Sequence, residues 1–405
     1  MSTATLHSET NKLLVPKLRF NEFDGEWKNS KLSKFATLNP KNGTLPESFI
    51  YIDLESVTDG FLIKENSIFK SEAPSRAQRI LSKKDILFQT VRPYQKNNLF
   101  FNRNGDYVAS TGYAQIRTEN DPKFLFQFLH TEKFVTNVML RCTGTSYPAI
   151  NSTDLAKIEI FSPIITEQQK IASFLSEVDE KIQQLTRKAT LLEQYKKGVM
   201  QQLFSRKLRF KDDNEKDYPN WEEKKLGDLG IFKGGGTPST NISEYWDGDI
   251  PWISSSDLIE NDISNINVTR FITEKAISES ATKLIPVNSV LFISRVGVGK
   301  LAVNKRIICT SQDFANFIPN KIDSFYLAYY FIKNNNLLSN YAQGTSIKGF
   351  TSGDLKSIKV SYPIIEEQQK IANFLSNIDN KIEKTNQQIR QTQNFKKGLL
   401  QQMFV

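Results

Sequence analysis

Between residues 166 and 204 the apolar positions fall at Ile171, Leu175, Val178, Ile182, Leu185, Ala189 and Leu192. Steps of four and three make a heptad seam, which predicts one long helix with a single apolar stripe. Its 39 residues would extend roughly 58 Å at about 1.5 Å per residue. Pro163 closes a strand-like Ile158-Glu159-Ile160, and Thr166 before Glu167 is the expected N-cap. The pattern returns 200 residues later, and residues 162–204 and 362–404 are identical at 21 of 43 positions. There the strand-like piece is Ile358-Lys359-Val360, and Glu366-Glu367 suits the positive end of a helix. The second seam reads Ile371, Leu375, Ile378 and Ile382, then Thr385, Ile389 and Thr392, so it weakens midway. The copies end on Tyr195, Val199, Leu203 and on Phe395, Leu399, Met403, read as apolar clusters. Lys-Lys-Gly recurs at 196–198 and 396–398. A glycine inside a helix costs about 1 kcal/mol relative to alanine, and close approach of another helix would account for it. Two such helices pair most simply as an antiparallel coiled-coil spacer. Packing of each helix on its own domain is the alternative that heptads leave open.

The repeat reaches beyond the helices. Gly144-Thr145-Ser146 matches Gly344-Thr345-Ser346, and Asp154-Leu155 matches Asp354-Leu355. Lys17-Leu18-Arg19-Phe20 returns as Lys207-Leu208-Arg209-Phe210, followed each time by a Trp (Trp27, Trp221) and a Lys-Leu pair (Lys31-Leu32, Lys225-Leu226). Residues 35–140 and 230–340 are not visibly alike. Short apolar runs such as Ile86-Leu87-Phe88 and Val290-Leu291-Phe292-Ile293 read as strands, and 122–140 and 323–342 carry helical patterns. The expected fold is mixed α/β: two globular domains related by pseudo-twofold symmetry and joined by two long helices. The expected division is an N-terminal tail at 1–15, a domain at 16–161, a helix at 162–205, a second domain at 206–361 and a second helix at 362–405.

Composition narrows the function. A chain of 405 residues holds two or three domains. At 39% hydrophobic and 24% charged residues it can bury a core. The net charge of +9 suggests a polyanionic partner, yet the excess is thin, +4 over residues 16–160 and +2 over 206–360. Two cysteines, Cys142 and Cys309, and two histidines, His7 and His130, argue against a disulfide scaffold, a zinc site or a Ser-His-Asp triad. No apolar run approaches 18 residues and no basic-then-apolar leader is visible, so a cytoplasmic protein without a membrane partner is expected.

Catalytic motifs are incomplete. Gly297-Val298-Gly299-Lys300 has Ser294 where a P-loop needs glycine, and Leu301 follows the lysine. Gly234-Gly235-Gly236-Thr237-Pro238 is a loop and not a dinucleotide fingerprint. The chain has no Pro-Pro for an amino-methyltransferase loop, and Asn39-Pro40-Lys41 does not replace it. Glu222-Glu223-Lys224 supplies only the end of a nuclease motif and reads as exposed surface. The chain therefore reads as a binder and not an enzyme.

Polar, basic and aromatic residues follow the strands, at 89–96 in the first half and 294–300 in the second. Arginine can read guanine, glutamine can read adenine, and lysine, serine and backbone amides hold phosphates. The candidate DNA contacts are Gln89, Arg92, Tyr94, Lys96, Thr145, Ser146, Lys233, Thr237, Ser254, Ser294, Arg295, Lys300, Thr345, Ser346 and Lys348. An ordinary solvated loop is the alternative for any one of them, and the Gly-Thr-Ser hydroxyls suit a tight turn equally.

The doubled P-I-I-x-E-Q-Q-K-I-A-x-F-L-S-x-x-D-x-K-I tail resembles the specificity subunits of type I restriction–modification enzymes. So do the Gly-Thr-Ser loops, Gly236-Thr237-Pro238 ahead of Trp246-x-Gly248-Asp249-Ile250-Pro251-Trp252-Ile253, and Leu291-Phe292-x-x-Arg295-x-Gly297. The resemblance covers residues 16–404. The first block lacks the Gly-Thr-Pro and Trp-Ile elements, as blocks reading different sequences would. The resemblance implies that each block recognises one half of a split, asymmetric double-stranded DNA site and that the helices set the gap. It implies two modification subunits that methylate adenine with S-adenosylmethionine, and two restriction subunits driven by ATP and Mg2+, with no cofactor on this chain. It places spacer and partner contacts on Gln168, Gln169, Ile171, Leu175, Val178, Ile182 and Gly198, and on Gln368, Gln369, Ile371, Leu375, Ile378, Ile382 and Gly398. A stand-alone DNA-binding regulator and a coiled-coil scaffold are the competing readings.

Overall fold

The computed structural model describes residues 14–41, 43–58, 60–341 and 349–405. It divides into two compact units, Met1–Thr186 with Gln387–Val405, and Arg187–Asn386. Each long helix therefore contributes one half to each unit.

The first unit is built on two four-stranded sheets. One runs in the order Asn66–Phe69, Ser48–Ile52, Tyr107–Ser110, Ala77–Ile80. The other runs Thr37–Leu38, Tyr113–Arg117, Ile86–Gln89, Leu99–Phe100. Pairing is antiparallel except between Tyr107–Ser110 and Ser48–Ile52. Ile86–Gln89 is buried at every position, which is why it reads as an unbroken apolar run and not as an alternation. The helical stretch after 122 is two helices, Pro122–Phe128 and Glu132–Met139. Asp121 and Thr131 cap them by accepting the N–H groups of Phe124 and Phe134. A ribbon of Lys28–Lys31 against Glu159–Ser162 ties the start of the unit to the root of the long helix.

The second unit repeats this plan with different residues. Its main sheet runs Gly230–Gly234, Phe314–Pro319, Val290–Ile293, Leu301–Val303. Arg270–Ile272, Ile250–Ile253 and Cys309–Thr310 form a second sheet. Helices Ser324–Lys333 and Asn336–Tyr341 follow, and Glu222–Lys225 pairs with Lys359–Tyr362 as the root ribbon. Glu222, Glu223 and Lys224 are exposed there, as expected.

The long helices span Ile165–Phe204 and Ile365–Gln402. Thr166 lies inside the first turn and is not the cap, because the helix already begins at Ile165. A buried lock holds each helix start. The Arg19 guanidinium donates to both oxygens of Glu167 at 2.8 and 2.7 Å, and Arg209 grips Glu367 at 3.1 and 2.6 Å. These pairs hold Arg19 and Arg209 more firmly protonated than a free arginine, chiefly through the hydrogen bonds to their glutamates. The Gln168 and Gln368 amides donate back to Pro163 O and Pro363 O. Their carbonyls accept from the N–H groups of Asp121 and Asp323. The repeated Lys-Leu-Arg-Phe and Glu-Gln motifs are thus two ends of one device.

Ile171, Leu175, Val178 and Ile182 enter the core of the first unit, and Ile371, Leu375 and Ile378, with Ile382 at the margin, enter that of the second. Leu399, Met403 and Phe404 enter the first core beside the opening half of the other helix, and Val199, Met200 and Leu203 enter the second. Asp179 pairs with Lys396 at 2.6 Å in the first unit, and Asp379 with Lys196 at 2.6 Å in the second. Within each unit the helices run antiparallel, and the opening half of each also packs on its own sheets. Both arrangements left open by the heptads are therefore present. Tyr195 and Phe395 do not join the terminal clusters; they stand 53% and 56% exposed. Gly198 and Gly398 are not sites of close approach within the described chain, since a Cβ at either would meet nothing within 4 Å.

Candidate nucleic-acid interface

In the first unit the loop after Ile86–Gln89 is held at its root. The Gln89 side chain is 3% exposed and donates to Val91 O at 2.7 Å and to the Gln95 carbonyl at 2.9 Å. Its role in this structure is to shape the loop. Thr90 sends both its N–H and its hydroxyl to Gly112 O, at 3.0 and 2.7 Å, and its own carbonyl accepts from Ile150. Arg92 and Lys96 take left-handed conformations, φ 53° and 56°, on either side of the turn Pro93–Gln95. Tyr94 on that turn is exposed. The Lys96 ammonium donates to His130 O at 3.1 Å and to the Glu132 carboxylate at 2.9 Å, and holds Glu132 below the usual carboxylate range.

The Gly-Thr-Ser loop lies beside it. A bridge between Thr143 and Ala149 closes the loop, Gly144 turns it at φ 89°, and Thr145 and Ser146 are exposed at its tip. A second bridge, Val91 to Ala149, and the Arg92 N–H on Pro148 O at 2.7 Å join the two loops. The structure thus brings Arg92, Tyr94, Thr145 and Ser146 onto one surface. It adds Tyr147, over whose ring the Arg92 guanidinium lies at 4.2 Å. Sequence reasoning missed Tyr147, although it directly follows the Gly-Thr-Ser motif.

Beneath this surface His130 is neutral. Burial, followed by the charge of Lys396, pushes its pKa down to about 4. Its Nδ1–H donates to Phe126 O at 2.7 Å, and Nε2 faces the Asn98 amide at 3.4 Å. Asn98 in turn accepts the Gln89 N–H at 2.9 Å.

The second unit reproduces the root with other residues. Ser294 sends its N–H and hydroxyl to Asp313 O at 2.7 and 2.9 Å, and Phe350 donates to Ser294 O. Two residues further on, Val296 has φ 23°, matching the positive φ of Arg92. Arg295 is exposed, and Lys300 donates to Leu258 O. The Gly-Val-Gly-Lys segment is the turn between strands Val290–Ile293 and Leu301–Val303.

Residues 310–313 draw the other candidates together. Gly236 donates to Thr310 O, Ser311 donates to Ile253 O beside Ser254, and the Thr237 hydroxyl donates to the Gln312 carbonyl. Only glycine fits at 235, because a Cβ there would collide with Ser311 O. Ser254 accepts from Arg270, which is also paired with Asp257 and lies 4.5 Å over Trp252. Lys233 donates to Leu284 O. Thr345, Ser346 and Lys348 lie outside the described residues.

Among the described residues no group of three or more His, Cys, Asp or Glu side chains could hold a metal. No described helix is long and apolar enough to cross a membrane.

Residues 24–194 and 218–393 each match the family described as the Type I restriction modification DNA specificity domain. The chain belongs to this family. Each copy of the family domain begins beside a root ribbon and ends within a long helix. The chain is 40% identical over 174 residues to the type I restriction enzyme MjaIX specificity subunit of Methanocaldococcus jannaschii, covering 42% of this chain and 40% of that protein. It is 34% identical over 166 residues to the EcoR124I/EcoR124II specificity subunit of Escherichia coli, covering 39% of this chain and 41% of that one. The alignments therefore span about two fifths of these relatives' lengths. The crystal structure of a type I restriction–modification system S subunit from M. genitalium shares the family fold over 96% of this chain and 99% of its own, with TM-score 0.64 and 16% identity.

Proposed function

We propose that this chain is the DNA specificity subunit of a type I restriction–modification complex. Each unit reads one half of a bipartite, asymmetric site in double-stranded DNA, and the paired helices set the gap. The observation that carries this reading is the presence of two family domains with one hydrogen-bonded loop framework but different exposed side chains. The same root presents Arg92 in one unit and Val296 in the other, as two readers of different half-sites require.

The chain supplies recognition and no chemistry. Two modification subunits, using S-adenosylmethionine, and two restriction subunits, using ATP and Mg2+, act around it in the cytoplasm. The outward faces of the long helices offer a docking surface, because Gly198 and Gly398 are open and an exposed aromatic, Tyr195 or Phe395, sits one turn before each. The thin positive charge suits partner-assisted binding, since few phosphate contacts give weak unaided affinity.

The test is co-expression with the cell's modification subunit, followed by genome-wide mapping of adenine methylation by single-molecule sequencing. A split motif with a constant gap, lost when this chain is deleted, is the expected result. Methylation unchanged by the deletion would leave the stand-alone regulator as the better reading.

A further inference from the structure

We propose that Arg92 reads a guanine in the half-site recognised by the first unit, with Tyr147 as the platform that aims its guanidinium. The inference rests on the specificity-subunit reading and assigns one of its base contacts.

Unlike the ion-paired arginines, Arg92 has no anion among the described residues. Arg19, Arg117, Arg209 and Arg270 each grip a carboxylate, on Glu167, Asp85, Glu367 and Asp257. Arg270 also lies over an indole, but Asp257 neutralises it. The Arg92 guanidinium lies on the Tyr147 ring, its Nε is buried without a hydrogen-bond partner, and among the described residues no carboxylate or carbonyl is bonded to it. A stacked guanidinium has lost much of its rotamer freedom before any ligand arrives. What remains is a two-donor fork in a held orientation.

The backbone is held in the same sense. A left-handed φ of 53° at a residue other than glycine persists only where surrounding structure enforces it, and such strain collects at functional positions. Here the Arg92 N–H is held on Pro148 O, against the extended bias that the following Pro93 gives the residue before it. The equivalent residue of the second unit is also strained, yet it is Val296, 58% exposed. A conformation kept while the side chain changes from a cationic fork to an apolar branch marks a presenting position whose chemistry varies with the target.

The fork selects its ligand. Two parallel donors need two adjacent acceptors on one edge, and in the major groove guanine alone offers them, at N7 and O6. A phosphate could accept the same fork, but Thr145 and Ser146 at the adjoining loop tip already provide hydroxyls for that task.

The test uses the complex of the full chain with its modification subunit, methylating a plasmid library in which both half-sites are randomised. The wild type should give a gapped motif with a G·C pair in one half. Arg92→Lys should lower discrimination at that single pair by about tenfold to a hundredfold, leaving the gap and the other half-site intact as proof of folding. Tyr147→Leu should relax the same pair to a smaller extent, and Tyr147→Phe should preserve it. An unchanged motif in Arg92→Lys, or a uniform loss over all sequences with a shallower salt dependence, would overturn the assignment. A wild type with no gapped motif would instead sink the specificity-subunit reading.

Discussion

The ion pair at the root of each helix allows a quantitative test. Glu167 is 1% exposed at its side chain and Arg19 13%, so Glu167→Gln strands a largely buried guanidinium. Breaking one partner of a buried pair costs about 3–5 kcal/mol. Arg19 keeps two carbonyl partners, Gly25 O and Asp24 O, and glutamine can still accept from the Trp27 indole. The low end applies, about 3 kcal/mol. Arg19→Met should cost a similar amount, by leaving the carboxylate buried and alone. The double variant should cost clearly less than both together, with a coupling of about 2 kcal/mol, because neither charge is then stranded. Hydrogen exchange over residues 165–175 is the suitable assay, since global unfolding blends the two units. Protection there should fall more than about a hundredfold in each single variant, while residues 365–375 serve as the internal control. Single effects below about 0.5 kcal/mol, or additivity within that margin, would refute the account of the repeated Glu-Gln motif.

Four further outcomes follow from the geometry. His130 is neutral when folded, with its pKa near 4. The unfolded chain takes up that proton below about 6.5, so stability is complete above that pH and is lost as pH falls toward 4. The loss is at most about 3 kcal/mol, and a pH series of urea melts should flatten in His130→Asn. Phe404→Ala removes a ring packed against Trp27, Phe124 and Phe128 and should destabilise the first unit by about 3–5 kcal/mol, read as faster exchange in 122–139. Gly398→Ala should stabilise the isolated chain by about 0.5–1 kcal/mol in thermal unfolding, because the methyl meets open space. The same variant should weaken co-purification of the modification subunit if that face is its dock. Inserting four residues into both helices adds about 6 Å, close to two base pairs at about 3.4 Å each, and should widen the gap in a methylation map while both half-sites stay unchanged.

The long helices were legible because a heptad stripe is a local, repeated signal, and both spans begin and end within three residues of the expected 162–205 and 362–405. Tyr195 is exposed because it lies one position off the seam: steps of four and three from Leu192 lead to Lys196, Val199 and Leu203, and the last two are buried. The destination of Phe404 was not legible, because its partners lie nearly 280 or more residues earlier in the chain. Gln168 was expected as a spacer or partner contact, and only the tertiary fold shows that Pro163 O and Asp121 N–H claim its amide. Gln89 was inviting as a reader for a similar reason. Strand Ile86–Gln89 is buried on both faces, so no alternation marks which way its last side chain points.

The route by which Tyr147 escaped notice bears on how specificity is encoded. Comparing the two halves of the chain selects what they share, and at this position they share nothing, with Tyr147 opposite Ile347. What they share is the root: a hydroxyl and an N–H of one residue, Thr90 or Ser294, donated together to one carbonyl, Gly112 O or Asp313 O. The acceptor is main chain, so its residue type is free to change. The donor needs only a hydroxyl. Every side chain beyond the root can then vary without disturbing the sheet that carries it, and under the proposed function a new half-site requires a new loop but not a new fold. Repeated residues in this chain accordingly mark the joints, as at Arg19–Glu167 and Asp179–Lys396. Under the proposed function, the base-reading chemistry belongs where the two halves disagree.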